Sequence, residues 1–96
     1  MAKYSMRIVT GPTLDANGDF ATTFSEFQKV LGAQATLDNP GANDLVHKTI
    51  VQGISNNEVT TRVQKINTTT ASPTSWAAAI TSEVADKKFA ILAQGI

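Results

Sequence analysis

Four oxygen-bearing side chains crowd one short stretch of the chain: Asp15, Asn17, Asp19 and Glu26. They fall at positions 1, 3, 5 and 12 of a loop in which alternating carboxylate and carboxamide oxygens can surround a hard divalent cation. The last acid would close the cage with both of its oxygens. Phe27 to Leu31 would then continue as the helix leaving the loop. The same letters also read as an Asn-Gly turn followed by a capped helix.

The spacing resembles an EF-hand calcium loop over about 17 residues, and that resemblance implies calcium as the ligand. The chain departs from the pattern where its geometry is most demanding. Position 6 needs glycine for a sharp bend, and here it is Phe20, for which a positive φ is costly. Thr22 stands at position 8, where an aliphatic residue would pair two loops. Gly11 and Pro12 leave no room for an entering helix, and there is no second loop. Asp15, Asn17, Asp19 and Glu26 are therefore carried as calcium candidates, with no other cofactor expected.

Other chemistry has thinner support. His47 is the only histidine, and a Ser-His-acid site would need it as the base. No nucleophile-elbow glycine pattern surrounds any serine, so a surface or strand-end histidine is expected. A zinc site needs three or four ligands, and the chain has no cysteine. Asp15, Asp19, Glu26, Asp38 and Asp44 offer carboxylates with no sign that any two converge. No enzyme is expected. Lys48, Arg62 and Lys65 cluster in the middle of the chain, but 8 basic residues balance 8 acidic ones. The basic excess by which proteins hold phosphates is missing, which argues against nucleic acid as the main partner.

The elements that would position these residues follow from periodicity. Lys3 to Val9 alternates, with Tyr4, Met6 and Ile8 on one face and Lys3, Ser5 and Arg7 on the other, as in a half-buried strand. Thr23 and Glu26 form a capping box, Phe24, Phe27 and Leu31 a stripe, and Gly32 a stop. Together they predict a helix over about 23–31. Residues 33–44 read as loop, with a turn at Asp38-Asn39-Pro40-Gly41. A two-residue turn at Asn56-Asn57 predicts a hairpin of strands 48–55 and 58–66, placing Ile54 opposite Val59, Gln52 opposite Thr61 and Ile50 opposite Val63. Its second strand has no aromatic residue on which bases could stack. After a threonine-rich linker, Ser72-Pro73 caps a second helix on which Trp76, Ile80 and Val84 recur every four residues. Lys87 and Lys88 complement that helix's dipole. Phe89 to Gln94 is an apolar run read as a strand covered on both faces.

The order is strand, helix, strand, strand, helix, strand. It is similar to ferredoxin-like domains, the βαββαβ order, and implies one α+β domain over residues 1–96: a four-stranded antiparallel sheet with two helices on one face. The longest apolar run, Phe89 to Ala93, falls far short of the roughly 20 residues of a membrane helix. No signal peptide is visible, so folding in the cytosol is expected.

The 42% apolar content includes 13 alanines, and 13 threonines give an uncharged polar surface that resists association weakly. The expected role is a non-enzymatic structural protein that self-associates with copies of itself or other structural subunits. A small virion component, a phage capsid or decoration protein, is the setting envisaged. Trp76, Phe89, Ile91, Leu92 and Ile96 are the expected interface. The alternative is a small ligand- or ion-binding module built on residues 15–26.

Overall fold

The computed structural model describes residues 3–38, 41–42, 45–67 and 76–96, and it replaces the expected α+β order with two antiparallel sheets. In chain order the strands are β1 (Lys3–Thr10), β2 (Asp19–Thr23), β3 (Val30–Asp38), β4 (Gly41–Ala42), β5 (Leu45–Ser55), β6 (Glu58–Asn67), β7 (Ala77–Ala78) and β8 (Lys88–Gly95). The helical content among the described residues is one 3-10 turn, Thr81–Val84. One sheet has the order β1-β8-β3; the other runs β2-β6-β5-β4, with β7 also paired to β6. The Ser72-Pro73 cap, Pro40 and the linker after Asn67 lie outside the described residues.

One core joins the sheets. Phe89, Ile91 and Ala93 alternate inward along β8, and Phe20, Val59 and Val63 meet them from β2 and β6. The Phe20 and Phe89 rings touch edge to face at 5.2 Å. Each such burial is worth about 1.5–3 kcal/mol, so these side chains hold the two layers together.

The helix expected over 23–31 is a strand end, a turn and a strand start. Glu26 does not reach back to the Thr23 amide; its carboxylate takes Ser5 Oγ and Arg7 from across the fold. The Phe24 amide donates to Asn57 O (2.8 Å) and the Val30 amide to Asn56 O (2.7 Å). Phe24, Phe27 and Val30 are all buried, at the three-residue spacing of a turn folded beneath the sandwich. Their spacing was real, but it serves a connection.

The second helix fails for a different reason. Beyond the end of β2, the edge of β6 still needs a partner. Ala77 and Ala78 supply it opposite Lys65 and Gln64, and the Ala79 amide bonds Val63 O (3.1 Å). A backbone partner for a strand edge outweighs alanine's helix preference, which is a fraction of a kcal/mol per residue. Val84 is buried while Ile80 is exposed, so the four-residue stripe does not share one face.

The hairpin is present, with the expected two-residue turn at its tip. Ser55 faces Glu58 and Ile54 faces Val59, with Asn56 at φ 54°. A bulge between Val51 and Gly53 then shifts the register, so Thr49 rather than Ile50 faces Val63. β8 is the middle strand of its sheet, but the cover expected on both of its faces is present on one only, with Leu92 exposed on the other. Residues 33–38, expected as loop, complete β3: Ala33, Ala35 and Leu37 pack against the core.

Candidate functional site

The four calcium candidates are not assembled into a cage. The Asp15 carboxylate accepts the amides of Asn17 (2.8 Å) and Asp19 (3.0 Å), closing a turn around Gly18 at φ 80°. Those two amides, Asp19 first, hold its carboxyl below the usual carboxylate range. Asp19 forms a two-pronged pair with Arg62 across the β2–β6 ladder (2.8 and 3.1 Å). Glu26 is held by Arg7 and Ser5 on β1, which lowers its carboxyl to about 2. The three carboxylates that would bind an ion already bind protein. Among the described residues no group of three or more histidine or acidic side chains is placed to hold a metal.

His47 lies inside the sandwich, 4% exposed, not at a strand end on the surface. Neither ring nitrogen has a hydrogen-bond partner among the described residues. Burial lowers its pKa most, Lys87 and Lys65 lower it further, and Glu83 opposes them. Lys65 pairs with Glu83 at 2.9 Å beside it, and Lys87 is buried nearby. Burial raises the Glu83 carboxyl, but the Ile80 amide and Lys65 together bring it below its ordinary value. His47 thus sits among two lysines and one glutamate as a buried polar group of the core. The buried Thr22 and Thr61 hydroxyls lack partners too.

The basic residues of the hairpin do not form a phosphate surface. Arg62 and Lys65 are neutralised as above, and Lys48 lies over the Trp76 ring at 4.4 Å. Of the expected interface residues, Phe89 and Ile91 are wholly buried in the chain's own core, and Trp76 is half-buried beneath Lys48. Leu92 and Ile96 do face outward. Ile96 is also fastened at its backbone, exchanging bonds with Lys29 and Gln28.

The feature that stands out is the side of β1 that faces solvent. Tyr4, Met6 and Ile8 are 71%, 55% and 58% exposed, while Ser5, Arg7 and Val9 turn inward. The strand is the reverse of an ordinary half-buried strand, which turns its apolar face to the core. Two contacts explain the inversion. The Arg7 guanidinium lies over the Phe24 ring at 4.8 Å and pairs with Glu26, and Ser5 joins the same carboxylate. Polar groups on the inner side are thereby satisfied, and the apolar stripe is left outside.

That stripe is continuous with its neighbours. Met6 stands opposite Leu92 and Ile8 opposite Ala90, and across β8 lie Gln34 and Thr36 of β3. Leu92 is 38% exposed. Two shallow grooves of about 250 and 350 Å³ run over this face, one bordered by Tyr4 and Leu92, the other by Ile8 and Ala90. Both are open depressions, and the second is also bordered by Asp38 and Lys88, which stand opposite each other at the ends of β3 and β8. The arrangement can bury apolar surface against a partner. The alternation of Tyr4, Met6 and Ile8 was legible in the sequence, but its direction was not.

No family model, no curated protein and no solved structure matches this chain. Among the described residues no helix is long and apolar enough to cross a membrane, which says nothing of strands.

Proposed function

We propose that this protein is a non-enzymatic structural subunit that associates with copies of itself through the outer face of the β1-β8-β3 sheet. The supporting observation is the inversion of β1: polar side chains are turned toward the core and satisfied there, while Tyr4, Met6, Ile8 and Leu92 form an apolar stripe outside. Contiguous exposed apolar surface of this kind marks interaction sites. The balanced charge, 8 of each sign, opposes no second copy. A shell-forming or shell-decorating virion component is the assembly class this reading names. Light scattering on a concentration series provides the test. A mass rising above 10.2 kDa supports the reading, and a 10.2 kDa species at every concentration overturns it.

A further inference from the structure

We propose that β1 is a dimerising edge: two copies pair their β1 strands antiparallel, centred on Met6, joining two three-stranded sheets into one of six strands. The inference rests on the assembly reading above and gives the outer stripe its contact: along the paired edge, Tyr4, Met6 and Ile8 of one copy lie beside those of the other on the same outer face.

A strand at a sheet edge presents unpaired N–H and C=O groups, and proteins blunt such edges with short strands, bulges or cover. Every other edge among the described residues is treated in one of these ways, β5 included: beyond the two residues it pairs with β4 it carries a bulge between Val51 and Gly53, and its Thr49 Oγ1 bonds Ala35 O of β3. β2 has 5 residues, and β4 and β7 have 2 each. β3 carries a bulge between Val30 and Gly32, and its free side is bonded to the hairpin: the Val30 amide donates to Asn56 O, and Ala35 O accepts Thr49 Oγ1 at 3.0 Å. β1 has 8 residues, no proline and no bulge. Among the described residues its only strand partner is β8, and the other bond to its backbone is a 3.5 Å contact from Arg7 to the adjacent Met6 O.

The strand's own sequence selects a second copy as the occupant and fixes the register. A two-fold axis normal to the sheet keeps outer faces together, so residues directly opposite must share a face. Three registers satisfy this near the strand centre. Centring on Ser5 sets Lys3 opposite Arg7, and centring on Arg7 sets that residue opposite itself. Like charges directly opposite are destabilising. Centring on Met6 sets Tyr4 opposite Ile8 on the outer face, and Arg7 opposite Ser5 and Lys3 opposite Val9 on the inner one. No like charges oppose, and residues 3–9 of each copy pair throughout.

The chain has no cysteine, so one introduced thiol reports its own contacts. Directly opposite residues lie about 4.5–5.5 Å apart at Cα, within the span a disulfide bridges. In this register Met6→Cys cross-links to itself under mild oxidation. Tyr4→Cys is displaced from its own copy by four residues, about 13 Å, and Ile8→Cys likewise, so neither cross-links alone, whereas a mixture of the two does. All three positions are exposed, leaving the core untouched. Hydrogen exchange on the unaltered chain gives a second readout: the outward amides of β1 gain protection as concentration rises. An associating wild type in which Tyr4→Cys links to itself as readily as Met6→Cys, or in which β1 amides gain nothing, overturns the β1 pairing while the assembly reading stands. A wild type that stays at 10.2 kDa overturns both.

Discussion

Acidification from about pH 7.5 to 5.5 should weaken this fold through His47 alone. The imidazole is buried, both ring nitrogens lack partners among the described residues, and its pKa lies below the ordinary 6.5 because of burial, with Lys87 and Lys65 adding to the effect. In the unfolded chain the same group takes up a proton at about 6.5. The stability its neutrality contributes is therefore complete above that value and is lost as pH falls through it toward the lower folded value. The limiting slope is about 1.4 kcal/mol per pH unit, and across this interval the loss reaches about 1.4 kcal/mol when the folded state takes up no proton. For a domain of this size each kcal/mol moves the midpoint by roughly 4–8 °C. Thermal melts followed by circular dichroism at low protein concentration measure it. His47→Leu removes the titrating group and should flatten the profile. The Glu26 carboxyl, held at about 2 by Arg7 and Ser5, contributes stability above its ordinary 4.5 that is lost only below it, so the two windows do not overlap. A wild-type midpoint that stays flat over this interval, or an equal slope in His47→Leu, refutes the reasoning.

Further outcomes follow from single atoms. The Thr61 hydroxyl is wholly buried without a partner among the described residues, so Thr61→Val should raise the melting midpoint, removing a desolvation cost of about 1–3 kcal/mol; a lower midpoint would refute an orphaned hydroxyl. Gly18 has φ 80° and a Cβ there would lie 2.5 Å from Val63 O, so Gly18→Ala should lose more than about 1 kcal/mol in urea unfolding. A Cβ on Gly32 meets nothing within 4 Å, and Gly32→Ala should cost nothing by the same assay. Titration calorimetry with calcium should give no binding heat, because Asp19 and Glu26 are held by Arg62 and Arg7; a saturable heat abolished by Asp15→Ala would restore the ion-binding alternative.

The parts of the fold legible in the sequence were those whose signal is local. The Asn56-Asn57 turn sets Ser55 against Glu58, and the alternation of Lys3 to Val9 marks β1. The rest depended on contacts far along the chain. Phe24 and Phe27 stand three apart whether they line a helix or fill a turn, and the choice falls to Asn56 and Asn57, whose carbonyls take the Val30 and Phe24 amides. Ala77–Ala79 favours helix until the open edge of β6 takes its amides. β3 was hidden because its inward residues are mostly alanine, although Ala33, Ala35 and Leu37 do alternate with Gln34, Thr36 and Asp38. A bulge at Gln52, invisible locally, turned Ile50 outward. The candidate site shows the same division. Alternation decides which residues share a face, not which face meets the core. Only the pairing of Arg7 and Ser5 with Glu26 settles that Tyr4, Met6 and Ile8 point away from it.

The account therefore turns on whether that outer face is what brings copies together. Sedimentation velocity on the wild type beside a Tyr4→Ser, Met6→Gln, Ile8→Ser variant measures this most directly, since all three side chains lie outside the core. The wild type should grow heavier with concentration, and the variant should keep the wild-type fold and stay at 10.2 kDa. A folded variant that associates as the wild type does would contradict it.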